Sequence, residues 1–447
     1  MTPRQEVDEG GGTLDCVVDV PLGKGPGGSA VVSGLPIESA YGDGWASAVG
    51  SAELKQLLLP YAAELVEFRR DLHAHPELGR AEVRTTAQVR ERLTRAGLAP
   101  VMLPGGTGLL CDIGGDSGAD VGGGDRLVAL RADLDALPVP DDKDVSYRST
   151  VPGACHACGH DVHTAVLVGA ALVLGDLHRR GRLPGGVRCV FQPAEESTPG
   201  GALDVIAAGG LDKVERIFAL HCDPRADVGE LGIRVGAITA AADSVTVRLS
   251  GPGGHTARPH LTADLVYALG RVVTEVPSAL TRRVDPRAVL SLVWGRISAG
   301  STANAIPEHG MVQGTVRCHD IDAWERAPDL IREVATSVAA AYGVTAEVEY
   351  SRGVPPVVND ADSAEMLAAA GRMQLGEDGV VATERSLGGE DFGWYLDRVP
   401  GALGRLGVRR PGDQSVRDLH QGVFDVDERA IGLGVRVLVA TALRAHG

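Results

Sequence analysis

Cys155-His-Ala-Cys158-Gly-His160-Asp-Val-His163-Thr-Ala165 places two cysteines and three histidines within nine positions. Thiolate and imidazole are the donors that zinc and its neighbours in the first transition row prefer. Cys158 and His160 are two residues apart, and an extended backbone would put both on one side. Ala165, Val166, Leu167, Gly169 and Ala170 then open a helix predicted from about His163 to Arg180. The stretch reads in one of two ways. Either a strand or loop feeds ligands into a site that the following helix makes rigid, or these are reduced thiols and surface histidines.

The strands on either side favour the first reading. Leu127-Val-Ala-Leu-Arg131 is a short buried strand that delivers Asp133 and Asp135. Carboxylates just beyond a strand end lie where open α/β sheets place their sites, and Asp135 serves equally well as a cap on the next turn. Val187-Arg-Cys-Val-Phe-Gln192 ends in Pro193-Ala-Glu195-Glu196. Adjacent acids at such a point can divide their work, one binding metal and one moving a proton. Arg216-Ile-Phe-Ala-Leu-His221 is a third strand that ends in a potential ligand. Three strands therefore converge on Asp133, Glu195/Glu196 and His221.

Upstream, Leu58, Ala62, Leu65, Phe68 and Leu72 mark one helix from about Ser51, stopped by His73-Ala-His75-Pro76. Those two histidines are either ligands or caps. A second helix is predicted from about Thr85 to Ala96. Residues 1–50 are glycine-rich and read as a flexible extension. Gly23-Lys-Gly25-Pro-Gly-Gly28 matches a dinucleotide fingerprint only formally, because Pro26 and more glycine stand where a helix must follow. The 114–124 Gly/Asp loop reads as an insertion, with Ser117 in solvent.

Downstream, Ser244-Val-Thr-Val-Arg-Leu249 alternates apolar and polar residues, as a half-exposed strand does. A helix (about 262–276), strands (288–294 and 311–317), a helix (323–342) and a strand (346–350) follow. That β-α-β-β-α-β order is the ferredoxin-like layout. It predicts an α/β protein of two domains: residues 51–242 and 353–447 form one, and 243–352 is inserted into it.

The chain has 447 residues, 44% hydrophobic, and a net charge of −16. An acidic chain without a Lys/Arg block argues against nucleic acid and anionic membrane as partners. Seven scattered cysteines do not form a disulfide framework and fit a reducing, cytoplasmic setting. Residues 1–12 carry no apolar core of a signal peptide. No apolar run is expected to reach the ~18 residues of a membrane span.

Six motifs, in order, resemble those of the dinuclear metallo-amidohydrolases that include aminoacylases and carboxypeptidase-G-type enzymes. They are Arg131-Ala-Asp-Leu-Asp-Ala-Leu-Pro138, His156-Ala-Cys-Gly-His-Asp-Val-His163, Phe191-Gln-Pro-Ala-Glu-Glu196, Gly253-Gly-His-Thr-Ala-Arg-Pro-His260, Glu390-Asp-Phe392 and Leu419-His420. The chain is most similar to the branch of auxin-conjugate hydrolases, hippurate hydrolases and N-acyl-amino-acid deacetylases, from about Leu58 onward. The resemblance implies a zinc-peptidase-like α/β/α catalytic domain with a lid or dimerisation domain inserted. It implies two divalent ions (manganese or zinc, with cobalt or nickel as options) held by Cys158, His160, Glu196, His221 and His420. It makes Glu195 the general base and Asp133 an acid that orients a ligand histidine, although Arg131 stands where relatives carry that histidine. His255 would donate to the developing oxyanion, in some relatives from the partner subunit, and Asn304 and Arg317 would hold the substrate's α-carboxylate. The implied substrate is a small N-acyl amino acid, and a homodimer through the inserted domain is implied as well.

Gln421-Gly422 replaces the Ser-Pro common after the last histidine, and Ser197-Thr-Pro-Gly-Gly201 replaces a more glycine-rich loop. Neither change removes an implied ligand. The competing readings are a dipeptidase on the same machinery, a binder without chemistry, and a structural zinc site at Cys155-x-x-Cys158, which lacks a second ligand pair.

Overall fold

The computed structural model describes residues 49–115, 126–413, 415 and 417–447. The extension (1–48) with its glycine fingerprint, and most of the glycine loop with Ser117, lie outside the described residues.

Leu127–Asp133 is buried at every position. A strand apolar on both faces needs a helical layer on each side. It runs parallel to Gly186–Gln192 and to Val214–Asp227, and Gly401–Arg409 extends the parallel set. Short antiparallel or parallel strands at both edges complete eight: 101–102, 109–113, 186–192, 127–133, 214–227, 401–409, 231–233 and 380–382, in spatial order. One face buries Phe218, Leu220, Cys222 and Leu406 beneath helices His160–Arg179, Ala62–Ala74, Ala361–Leu375 and Arg429–Arg444. The other face buries Ile217, Ala219 and Leu403 under Val205, Phe392 and Tyr395.

The central helix, His160–Arg179, is the one described helix long and apolar enough to cross a membrane, contrary to the expectation of no such run. Of its most apolar window, 94% is buried inside the protein, which makes it a core helix. Gly169 brings it against its neighbours: a Cβ there would lie 2.6 Å from Val435 and 2.7 Å from Leu65.

Two expectations are corrected upstream of the site. The single helix predicted from Ser51 is two, Ser51–Leu58 and Ala62–Ala74, broken at Pro60, which has no N–H to continue the ladder. Cys158 and His160 are not on an extended segment. Gly159 adopts a left-handed turn (φ +86°), and His160 is the first residue of the central helix. A Cβ at 159 would lie 2.7 Å from Cys222 Sγ, so both the φ and the close approach require glycine.

Residues 241–354 build a second sheet and a second core. Strands Ala241–Ser250, Ser291–Ala299, His309–Cys318 and Thr345–Val354 pair antiparallel, in the order second, third, first, fourth. Helices Leu265–Arg283 and Ile321–Ala340 close one face over Val247, Leu249, Val312 and Val316. This is the ferredoxin-like order read from the alternation. The segment enters and leaves side by side, with Ala242 paired to Val354. Asp243 ties that junction by accepting from Trp324 Nε1 (2.6 Å), Tyr350 OH (2.6 Å) and the Gly353 amide (2.7 Å).

Candidate metal centre

The strand and helix ends bring Cys158, His160, Glu195, Glu196, His221 and His420 to one place. His221 lies in the middle of its strand, which runs on to Asp227 instead of ending at His221 as expected, and its Nδ1 donates to the Cys222 carbonyl (2.8 Å). That leaves Nε2 aimed at Cys158 Sγ, 3.6 Å away. His160 Nδ1 donates to the Asp135 carbonyl (2.8 Å). Its Nε2 is buried without a hydrogen-bond partner, with oxygens of Asp133, Glu195 and Glu196 at 3.7, 3.9 and 4.0 Å. Glu196 Oε1 is likewise buried without a hydrogen bond, and His420 Nε2 stands 3.3 Å from it.

These separations decide what the residues can do. They are mostly too long for hydrogen bonds. Ligands about 2.0–2.3 Å from a tetrahedral cation lie roughly 3.3–3.8 Å from one another. The donor set and its orphaned buried atoms therefore fit divalent metal.

Two residues that frame the centre have unusual backbones. Ala194, just before the glutamates, has φ +55°, and His420 has φ +64°. Left-handed non-glycine residues cost energy and persist where the surroundings over-determine them. Glu82 accepts the Ala194 amide (2.7 Å), and Ala157 accepts the His420 amide (2.7 Å). The second bond ties the late ligand to the residue beside Cys158. His420 remains 54% exposed at its side chain, the open edge of the centre.

The supporting layer holds residues that the sequence left undecided. Asp135 is no simple cap: its two oxygens accept the amides of Glu195 (3.1 Å) and Glu196 (2.9 Å), fixing both glutamates from below. His163 bridges Asp133 Oδ1 (2.7 Å) and the Cys222 amide (2.8 Å), so its Nδ1 carries the proton and its Nε2 accepts. Asp133 therefore orients His163, while its other oxygen takes Arg131 Nη1 (2.7 Å). The same buried guanidinium reaches Glu390 (3.0 Å), Asp391 (2.8 Å) and Gln192 (2.9 Å), which explains the Glu390-Asp391-Phe motif. Three carboxylates around one arginine leave an excess of negative charge beside the centre, favourable to cations.

The electrostatics follow. Burial, reinforced by the carboxylates of Glu390, Glu196 and Asp391, pushes Glu195 well above the ordinary glutamate range. Burial also raises the Cys158 thiol. Burial depresses His221 well below the usual histidine value, with help from Arg405 and His163. For His160, burial pulls down, but Asp133, the Asp135 hydrogen bond and Cys158 outweigh it and hold the imidazole high.

A second Cys/His/Asp group, His73, Asp141 and Cys155, does not fit a metal. Lys143 Nζ already occupies it, 2.8 Å from Asp141 and 3.4 Å from Cys155. His73 is spanned by Asp161 (2.7 Å) and Asp141 (3.3 Å), which overcome burial and raise it to about 9. It is an internal charge network.

The remaining expected site residues lie in the 241–354 segment. His255 pairs with Ala305 in a small exposed ribbon, and its Nδ1 accepts the Ala257 amide (3.0 Å). The neighbouring Asn304 accepts the Thr256 amide through its carbonyl (3.2 Å). Arg317 is half-buried near the 388–389 loop. Among the described residues, none of the three forms a hydrogen bond or ion pair with the six side chains of the centre.

The chain is similar to known proteins over most of its length. The chain is 52% identical over 377 residues to a putative glutamate–cysteine ligase of Rhodococcus jostii, covering 84% of this chain but 46% of that one; it thus spans about half that relative's length. It is 36% identical to an N-acetylcysteine deacetylase of Bacillus subtilis, over 83% of this chain and 94% of the relative. The crystal structure of the B. subtilis YxeP protein, described as a dinuclear metal-binding peptidase, superposes with a TM-score of 0.74 at 32% identity, covering 87% of this chain and 99% of the other. Residues 129–444 match peptidase family M20/M25/M40. The chain belongs to that family and is a hydrolase of its metallo-amidohydrolase type.

Proposed function

We propose that the protein cleaves the amide bond of N-acyl-L-amino acids, with Glu195 as proton carrier. The carrying observation is the spacing of Cys158, His160, Glu196, His221 and His420 around buried, unpartnered donor atoms, with Glu195 beside them. Two divalent ions held there, manganese or zinc first among the options, would acidify a water and polarise the amide carbonyl. Glu195, raised by burial and by its carboxylate neighbours, is suited to take that water's proton and return it to the leaving amine. Asp135 keeps Glu195 and Glu196 in register. Arg317 and Asn304 would hold the α-carboxylate, and arginine suits that task through its two-pronged geometry.

His255 would donate to the carbonyl oxygen. Its exposed place, without contact to the centre, is consistent with donation across a homodimer. Ser291–Ala299 is an edge strand carrying exposed Val293 (63%) and Ile297 (59%), which a second copy would cover. The six described cysteines are free and buried, in keeping with a cytoplasmic enzyme. The names of two Bacillus subtilis relatives, both N-acetylcysteine deacetylases, make N-acyl cysteine the first substrate to try.

The test is amine release from N-acetyl-cysteine, hippurate and other N-acyl amino acids, with dipeptides as a separate arm, after manganese or zinc loading. Glu195→Gln should lose about 10²–10⁴-fold in kcat. Full activity in that variant would remove Glu195 as the base, and cleavage of dipeptides alone would replace the N-acyl reading.

A further inference from the structure

We propose that the centre has a second anion-binding position built on Arg405, and that it takes N-acyl amino acids carrying two carboxylates. This deepens the amide-hydrolysis reading and rests on it.

Arg405 is the strand neighbour of the ligand His221, paired Cα to Cα in parallel register. Side chains at paired positions of a sheet stand on the same face. Arg405 therefore rises beside His221 at the substrate end of the sheet. On its other side it pairs with Gly232, where a Cβ would lie 3.2 Å from the Arg405 Cβ and 2.9 Å from that of Thr383. The glycine leaves room for the arginine stem. Arg405 is half-buried, yet among the described residues it has neither an ion pair nor a hydrogen bond.

It is one of four arginines around the 383–389 loop that have no ion pair among the described residues. Arg234 reaches only the Thr383 carbonyl (3.1 Å). Arg385, exposed in that loop, has no partner among the described residues. Arg317, equally unpartnered, has its Nη1 3.9 Å from where a Cβ of Gly389 would be. The chain has 59 acids for 43 basic residues, so carboxylates to neutralise these guanidiniums are not scarce. Leaving four without a carboxylate partner around one loop, while Arg131 alone gathers three carboxylates, reserves their charge for a ligand. The guanidinium fork matches a carboxylate better than any other side chain does.

Arg317 accounts for the α-carboxylate. Arg405, with Arg385 at the rim, is left for a second one. That carboxylate belongs either to a dicarboxylic acyl group or to an acidic amino-acid side chain.

The experiment is equilibrium binding, by calorimetry, to metal-loaded Glu195→Gln protein, where nothing is turned over. N-acetyl-L-alanine is the singly charged reference. N-acetyl-L-glutamate carries the extra carboxylate on the side chain, and N-succinyl-L-alanine carries it on the acyl group. One of the two should bind at least about tenfold more tightly than the reference, as expected for a charge-assisted contact, and its identity locates the group. Arg405→Gln should remove most of that preference and Arg405→Lys should keep part of it; Arg385→Ala should weaken it. Equal affinity for all three ligands overturns the proposal, as does a preference that survives both Arg405→Gln and Arg385→Ala. Hydrolysis by the wild-type protein is read separately. A dicarboxylate preference without turnover of any ligand would sink amide hydrolysis and leave the anion position standing, whereas turnover without preference would do the reverse.

Discussion

Replacing Asp135 with asparagine tests whether the two glutamates are positioned from below. The substitution keeps shape and volume at a side chain only 1% exposed. It keeps one oxygen for one of the two amides, Glu195 N or Glu196 N, now held at 3.1 and 2.9 Å. The other amide then meets an NH2 group, donor against donor. A buried hydrogen bond to a charged acceptor contributes about 1.5–3 kcal/mol. Each 1.36 kcal/mol is tenfold in rate, so loss of one bond predicts a fall of about 10- to 150-fold in kcat/KM. The fall should lie mainly in kcat, because the role proposed for Glu195 is proton transfer and not binding of the amino acid. Metal affinity should drop as well, through Glu196 and through His160, whose Nδ1 sits 3.3 Å from Asp135 Oδ1. Steady-state kinetics with metal titration on purified protein decides it. A variant that binds two ions and stays within about threefold of wild-type kcat/KM would show that Asp135 does not position the glutamates.

Other outcomes follow from the same structure. His73→Gln should destabilise the protein in a pH-dependent way. His73 rises from 6.5 to about 9 on folding, so its contribution, on the order of 3 kcal/mol, is complete below about pH 6.5 and disappears as pH climbs through about 9. Urea unfolding at pH 6 and pH 9.5 should show the gap to wild type shrinking; a constant gap would assign the loss to packing alone. Cys158→Ser should reduce bound metal below two ions per chain by elemental analysis, and full occupancy would take the thiol out of the ligand set.

The sequence carried the site where chemistry was concentrated in short motifs. The resemblance of six short motifs to those of the metallo-amidohydrolases marked Cys158, His160, Glu196, His221 and His420 as candidate ligands and Glu195 as candidate base, and the fold brings the six side chains together. Asp135 stayed ambiguous because a carboxylate just past a strand looks the same whether it caps a turn or holds a loop 60 residues away. The partnership of Arg131 with Asp391, 260 positions apart, leaves no local trace at all. The ferredoxin-like order was readable from alternation and length. The turn at Gly159 was not, since a glycine between two ligands suits an extended segment and a left-handed one alike. The break at Pro60 was overridden in the reading by the apolar spacing that continues through it.

All five candidate ligands belong to the eight-stranded half, whereas His255, Asn304 and Arg317 ride on the four-stranded one, attached through the adjoining Ala242 and Val354 strands. On the proposed roles, loading the ions and capturing the substrate draw on different halves of the chain. A substrate held by both sets would bridge the two halves. Damage at the Asp243 junction would accordingly be felt in substrate capture and leave the ion content of the protein intact.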